Sequence, residues 1–263
     1  MGRHLELDGQ RIYYEEYGEG EPLFLLHGGM VGADSWHLQV PALEGRYHVF
    51  VPERRGHGRT PDVPGPYTTE NMTAETAAVI QALVDAPAHV IGWSDGAYVA
   101  AYLALTRPEL VARLVLIGQA YAADGETAAV RKFTYSPEIA DWFREDYARL
   151  TPDGADHFDV VFDKVMTLWR NPLELTLSDM ARITAPALIM QGDDDDVRIE
   201  YSTALARALP EAQLAVIPGT GHGAPVQKTD LVNRMITDFL QPAQPERLLG
   251  LGALRDGSSR TGQ

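Results

Sequence analysis

Val90-Ile91-Gly92-Trp93-Ser94-Asp95-Gly96-Ala97 is the stretch that decides how this chain reads. An apolar run from Ala88 to Ile91 ends in Gly-x-Ser-x-Gly, and small helix-favouring residues follow at once. This is the sequence form of a nucleophile elbow, a sharp turn between a strand and a helix with a serine at its apex. The backbone doubles back so tightly that a Cβ at either flanking position would clash, and both positions are glycine. Gly-x-Ser-x-Gly alone is a weak signal. The strand before it, the helix after it and partners downstream make it a strong one.

On the N-terminal side, residues 4–8 and 11–17 alternate around Asp8-Gly9, which predicts a hairpin. Pro22 to Leu26 predicts a buried strand running into His27-Gly28-Gly29, and Asp34 predicts the N-cap of a helix reaching about Leu43. A strand over 47–51 leads into the charged, glycine-rich loop Glu53-Arg54-Arg55-Gly56-His57-Gly58-Arg59-Thr60. A helix over about 69–84 carries Met72, Ala77, Ile80 and Val84 near helical spacing. Past the elbow come a helix over 95–106 and a strand over 113–118. Such alternation implies a mostly parallel sheet of about eight strands, flanked by helices.

The alternation breaks between Phe133 and Trp169. Eight of these 37 residues are aromatic (Phe133, Tyr135, Trp142, Phe143, Tyr147, Phe158, Phe162 and Trp169), against 8% for the whole chain. The segment predicts a small helical lid whose aromatics either pack on the main domain or wall a pocket. A strand over 187–190, a helix near 200–208, a strand over 213–217 and a last helix from about Pro225 to Leu240 complete the pattern. The expected organisation is a core half over 1–119, a cap over 120–180, a second core half over 181–241 and a flexible tail over 242–263.

Composition narrows the function. Hydrophobic residues are 45% and charged residues 22%, an ordinary globular balance for one α/β domain of 263 residues. A net charge of -15 argues against nucleic acid as a partner. There are no cysteines, so disulfides, thiolate catalysis and zinc-thiolate sites are excluded. No leader-like h-region and no long apolar run is present, which predicts a cytoplasmic protein with no membrane span.

A serine hydroxyl attacks well only when a base removes its proton, and the base needs a carboxylate to orient it. Downstream of Ser94, Gln191-Gly192-Asp193-Asp194-Asp195-Asp196-Val197 follows a buried strand and offers four acids. Gly219-Thr220-Gly221-His222-Gly223 follows the last strand and offers an imidazole, so the order is serine, acid, histidine. Of eight histidines, His222 is located by order and loop context. The acidic run lacks the spaced ligand pattern of a calcium loop, so no metal is expected. No Gly-x-Gly-x-x-Gly turn follows the first strands, so no dinucleotide cofactor is expected either.

Across about residues 4–240 the chain resembles the α/β-hydrolases, through His27-Gly28-Gly29, the Arg55–Thr60 loop, the Ser94 elbow, Gly192-Asp193-x-Asp195 and Gly221-His222. The resemblance implies Ser94, Asp195 and His222 as the catalytic triad, with Asp194 and Asp196 as other registers for the acid. It implies an oxyanion hole of the Asp95 and Gly29 backbone N–H groups, with Met30 as the adjacent alternative donor and a substrate neighbour. His27 and His57 are expected to brace loops. The string Gly92-Trp93-Ser94-Asp95-Gly96 is similar to that of the biphenyl hydrolase-like, valacyclovir hydrolase type of serine esterases. That likeness implies Asp95 as a substrate-ammonium contact and Trp93 as its neighbour. The bland account of Asp95 is a carboxylate facing the positive end of a helix dipole.

The expected function is therefore a cofactor-free serine hydrolase of small carboxylic esters, amino-acid esters among them. A lactonase, a carbon–carbon bond hydrolase and a cofactor-free perhydrolase would use the same three residues. A ligand-sensing or partner-binding protein on this fold would have no need of all three. The sequence leaves the oligomeric state open.

Overall fold

The computed structural model describes residues 2–119, 121–127 and 137–241. Its strands are β1 (Gly2–Leu7), β2 (Gln10–Tyr17), β3 (Glu21–Leu26), β4 (Tyr47–Pro52), β5 (Ala88–Trp93), β6 (Val111–Ile117), β7 (Ala187–Gly192) and β8 (Ala212–Ile217). They form one eight-stranded sheet in the order β1-β2-β4-β3-β5-β6-β7-β8. The first pair is an antiparallel hairpin, and β2 lies antiparallel to β4. Every later pairing is parallel. Asp8 (φ 49°) and Gly9 (φ 80°) both lie in the left-handed region, which matches the twist a two-residue hairpin turn requires.

The helices are α1 (Val40–Leu43), α2 (Thr69–Leu83), α3 (Asp95–Thr106), α4 (Pro137–Leu150), α5 (Phe158–Arg170), α6 (Leu177–Met180), α7 (Ile199–Ala208), α8 (Ala224–Gln227) and α9 (Thr229–Leu240). Because strand side chains alternate, each central strand feeds two cores. Phe24, Leu26, Val90, Leu114 and Leu116 face the core that holds Ile80 of α2 with Val99 and Leu103 of α3. Leu23, Leu25, Ile91, Val115 and Ile117 face the core that holds Leu43 of α1 with Val232, Ile236 and Phe239 of α9. These strands read as continuous apolar runs because both faces are covered.

Two expected helix boundaries are corrected. Asp34 does not cap a helix reaching Leu43. Ala33–Trp36 is a single 3-10 turn preceded by Gly32, and α1 starts afresh at Val40. Pro41 lacks the N–H that would continue a helix through this point. The Asp34 carboxylate instead pairs with Arg59 at 2.9 Å and Arg149 at 3.2 Å. The last helix is also split, at Lys228 (φ −135°, ψ 57°), into α8 and α9.

Helices α4 to α6 lie between β6 and β7, where strands are absent among the described residues. They are tied to the loop after β4 by Asp62, whose carboxylate accepts from Tyr67 Oη (2.5 Å), His157 Nε2 (2.9 Å) and Lys164 Nζ (2.7 Å). Of the aromatics expected here, Phe158 is fully buried in the core, Trp142 is exposed, and Phe143 and Trp169 face a cavity. Phe133, Tyr135 and the tail over 242–263 lie outside the described residues. No helix among the described residues is long and apolar enough to cross a membrane.

The junction of β5 and α3 leaves no room for side chains at its two glycines. A Cβ on Gly96 would sit well inside van der Waals contact of the Leu26 and His27 carbonyl oxygens, and one on Gly92 would meet Gly96 itself. Helix propensity alone favours alanine over glycine by up to about 1 kcal/mol. The clash is with backbone and outweighs that preference. Gly96→Ala is expected to lower unfolding stability by about 2–3 kcal/mol in urea titration, whereas Gly45→Ala, with open space around it, should change little.

Candidate active site

Ser94 sits at the apex of the β5–α3 turn with φ 56° and ψ −122°, a backbone state that a non-glycine residue adopts only under constraint. The constraint is visible. Ser94 N–H donates to Ile117 O at 2.9 Å, and the turn is pressed against the end of β3 by the two glycines. Asp95 is the first residue of α3, so its N–H has no intrahelical acceptor. The Ser94 side chain projects into a cavity of about 610 Å³ at the C-terminal ends of the parallel strands. In open parallel sheets this is where ligands bind.

His222 and Asp195 reach the same place from the loops after β8 and β7. His222 Nδ1 lies 2.9 Å from Asp195 Oδ1. Asp195 is buried, and its other oxygen accepts from Gly192 N–H at 3.2 Å. A carboxylate at Nδ1 fixes the tautomer with hydrogen there and leaves the Nε2 lone pair for the cavity. Burial is the largest single effect on His222 and disfavours its cation. The hydrogen bond and charge of Asp195, with Asp196 and Asp95, outweigh burial, and the pKa stands above its ordinary 6.5. Ser94 and His222 both line the cavity without a hydrogen bond between their side chains.

The four aspartates separate cleanly. Asp193 Oδ1 accepts from Gly219 and Thr220 N–H at 2.6 and 3.1 Å and so shapes the histidine loop. Asp194 is exposed. Asp196 is also exposed at its surface but borders the cavity, where partial desolvation and the neighbouring aspartate charges raise its carboxyl pKa. Asp195 alone among them meets His222.

The remaining expected residues distribute less simply. Gly29 lines the cavity, with Asp95 Oδ2 and the Trp169 ring packed against it. Asp95 is buried and lines the cavity, and its Oδ1 accepts from Trp169 Nε1 at 2.7 Å. Burial raises the Asp95 pKa, against the opposing charge of Arg54. Trp93 also lines the cavity, but its indole N–H is engaged by His222 O at 2.9 Å, so it holds the histidine loop. Met30 has φ 61°, and its side chain is buried in the core and is not part of the cavity lining.

His27 and His57 lie in the loop framework as expected. The Arg54 backbone N–H donates to His27 Nε2 at 3.0 Å, which places the ring hydrogen on Nδ1, 2.7 Å from Gly28 O. Burial holds His27 neutral, far below the ordinary range, and pushes His57 down to about 3. The loop around them is stitched by buried Glu53, which accepts from Ala33 N–H, Arg59 N–H and Arg59 Nη1. No group of three or more His, Cys, Asp or Glu side chains is arranged to hold a metal among the described residues.

Several residues of the site lie outside the set expected from the sequence. Gly118 has φ 61°, and a Cβ there would come within 3.0 Å of the His222 ring, so two constraints require glycine. Tyr98 lines the cavity one helical turn after Ser94, a spacing that the sequence does display. Its hydroxyl is buried without a hydrogen-bond partner. Trp169 was one of eight aromatics with nothing to single it out. Arg54 is buried and lines the cavity, and burial lowers its guanidinium only to about 10, so it stays charged at neutral pH.

Residues 23–234 match the profile of the Alpha/beta hydrolase family. RutD of Stutzerimonas stutzeri (strain A1501), provisionally named a carbamate hydrolase, is 30% identical over 256 residues, covering 87% of this chain and 96% of its own. A non-heme haloperoxidase of Rhodococcus erythropolis is 29% identical over 269 residues, covering 89% and 97%. Among solved structures, the meta-cleavage product hydrolase CumD of Pseudomonas fluorescens IP01 superposes with a TM-score of 0.78. It is 28% identical, covering 90% of this chain and 97% of that one.

The geometry makes a direct electrostatic prediction. Followed by NMR, the His222 ring should titrate above 6.5 in the intact chain. In Asp195→Asn the raising contribution is removed while burial persists, so the midpoint should fall by at least about one unit. Asp194→Asn should leave it nearly unchanged, and equal shifts in both variants would contradict the pairing.

Proposed function

This chain belongs to the alpha/beta hydrolase family, and on that premise we propose that it is a serine hydrolase of small carboxylic esters. The observation that carries this reading is the convergence of a strained Ser94 and a His222–Asp195 pair on one cavity. In the proposed reaction Ser94 Oγ attacks the ester carbonyl while its proton passes to His222 Nε2. Asp195 stabilises the imidazolium through Nδ1–H. The Gly29 and Asp95 N–H groups receive the oxyanion, where preorganised donors act most strongly. His222 then protonates the leaving alkoxide, and the acyl group stays on Ser94. Water, deprotonated by His222, releases the acid. Catalytic hydrogen bonds often tighten only when substrate binds, so an open Ser94–His222 pair is compatible with this sequence of steps.

Helices α4 to α6 act in this reading as the cap. Phe143, Met166, Leu168 and Trp169 give the cavity an apolar wall, which suits an apolar acyl or alcohol part. A second reading, amino-acid esters, is supported by the buried Asp95 carboxylate in the same wall. Its Oδ1 already holds Trp169, so an ammonium would have to use Oδ2, beside Gly29. Asp95→Asn should then lose at least about tenfold more kcat/KM on an amino-acid ester than on its des-amino analogue, the scale of a buried charged hydrogen bond. Equal losses would leave Asp95 with its bond to Trp169 alone.

Steady-state kinetics on 4-nitrophenyl acetate tests the main reading. Ser94→Ala should lower kcat by about 10,000-fold or more, and Asp195→Asn by about 1,000-fold or more. Asp194→Asn should stay within about threefold, as an exposed position should. His222 must be neutral to act as base, so kcat/KM should rise with pH through a midpoint above 6.5. Retained turnover in Ser94→Ala would refute the nucleophile.

A further inference from the structure

Arg54 sits in the loop after β4, far from the elbow in sequence, and has no part in the reaction as set out above. Its surroundings are unusual for a buried cation. It makes no ion pair among the described residues, and the carboxylates that favour its charge, Asp95 and Glu75, act at longer range. Its Nε has no hydrogen-bond acceptor, and Nη1 reaches only the Met72 sulfur at 3.7 Å. A buried charge without a close counter-ion is costly, and Arg54 keeps its place through two backbone carbonyls. Nη2 donates to His27 O at 2.5 Å and to Gly28 O at 2.9 Å.

The second of those carbonyls matters most. Gly28 O also accepts from His27 Nδ1–H at 2.7 Å, and the backbone N–H of Arg54 is what sets that tautomer. Arg54 therefore grips Gly28 O twice, once directly and once through His27. The Gly28 carbonyl and the Gly29 N–H are opposite edges of one planar trans peptide, so fixing the oxygen fixes the direction of the N–H. Gly28 lies against the elbow, where a Cβ would come within 3.4 Å of Ser94 Cβ, and Gly29 lines the cavity. Donors that engage a carbonyl oxygen also polarise its amide and strengthen the N–H as a donor. A cation does this more strongly than a neutral donor.

We propose that Arg54 is a positioning residue of the oxyanion hole, aiming and polarising the Gly29 N–H through the Gly28–Gly29 peptide. This rests on the reading of Ser94 as nucleophile and Gly29 as donor. The step it serves is balanced within the site. The Ser94 Oγ–carbon bond forms, the carbonyl π pair moves to oxygen, and the Ser94 proton goes to His222 Nε2. The developing negative oxygen is what the Gly29 N–H meets.

An alkyl trifluoromethyl ketone tests the assignment, because a serine nucleophile converts it to a stable tetrahedral oxyanion adduct. Inhibition by the ketone and hydrolysis of 4-nitrophenyl acetate are to be measured with the full chain, Arg54→Met and Arg54→Lys. Thermal melts would establish that each variant is folded. In Arg54→Met, ketone affinity and kcat should each fall at least about tenfold while KM stays within about twofold, the signature of a misaimed transition-state donor. Arg54→Lys keeps the charge but not the two-carbonyl geometry, so it should recover part of the loss, and it decides the question if Arg54→Met does not fold. Ketone affinity unchanged, or reduced only in proportion to KM, would overturn the role of Arg54 while leaving Ser94 in place. An unaltered chain that neither hydrolyses the ester nor binds the ketone would overturn the nucleophile reading, and this proposal with it.

Discussion

The close approach of the elbow to the end of β3 is the constraint on which the rest of the structure depends. Gly96 lies so near the Leu26 and His27 carbonyl oxygens that no side chain fits between them. That contact presses the β5–α3 turn onto the strand and holds Ser94 at φ 56°. A residue in this state is costly, by about 1–3 kcal/mol, and persists only where surroundings over-determine it. Here they do. Parallel pairing of β5 with β3 and β6 fixes one side of the turn, and the N-terminus of α3 fixes the other. The strained serine and the Asp95 N–H beside it emerge from one piece of backbone geometry.

Four further loops reach this point from the C-terminal edge of the same sheet. The loop after β3 brings Gly28 and Gly29, the loop after β4 brings Arg54, the loop after β7 brings Asp195, and the loop after β8 brings His222. These loops are held to each other as well as to the sheet. Asp193 bonds the histidine loop, Trp93 bonds the His222 carbonyl, and Gly118 leaves room for the His222 ring. Helix α5 and the turn before it connect through Trp169 to Asp95, and through Lys164 and His157 to Asp62. A shift of α5 would therefore be felt at the carboxylate next to the serine.

Much of this was legible in the sequence, and the reasons are physical. Strands buried on both faces write themselves as apolar runs, and the elbow demands glycines at fixed spacing, so β3, β5, β6 and β7 with the turn at Ser94 could be read directly. The Asp8-Gly9 hairpin and the extents of α2 and α3 followed from equally local rules. What failed was whatever long-range partners decide. Asp34 has the form of a cap, yet Arg59 and Arg149 take its carboxylate. Met30 follows Gly29 directly, yet its side chain is buried in the core. Arg54 looked like one more charge in a charged loop. Its importance lies in which carbonyl it grips, and no spacing encodes that.

The central claim is that Ser94 carries the acyl group during turnover. Its most direct measurement is to quench the enzyme in acid during steady-state hydrolysis of 4-nitrophenyl acetate and map the peptides by mass spectrometry. The account predicts one acetyl group per chain, on Ser94, which disappears once substrate is exhausted. An acetyl group that turns over on any other residue, or full turnover with none on Ser94, would contradict it.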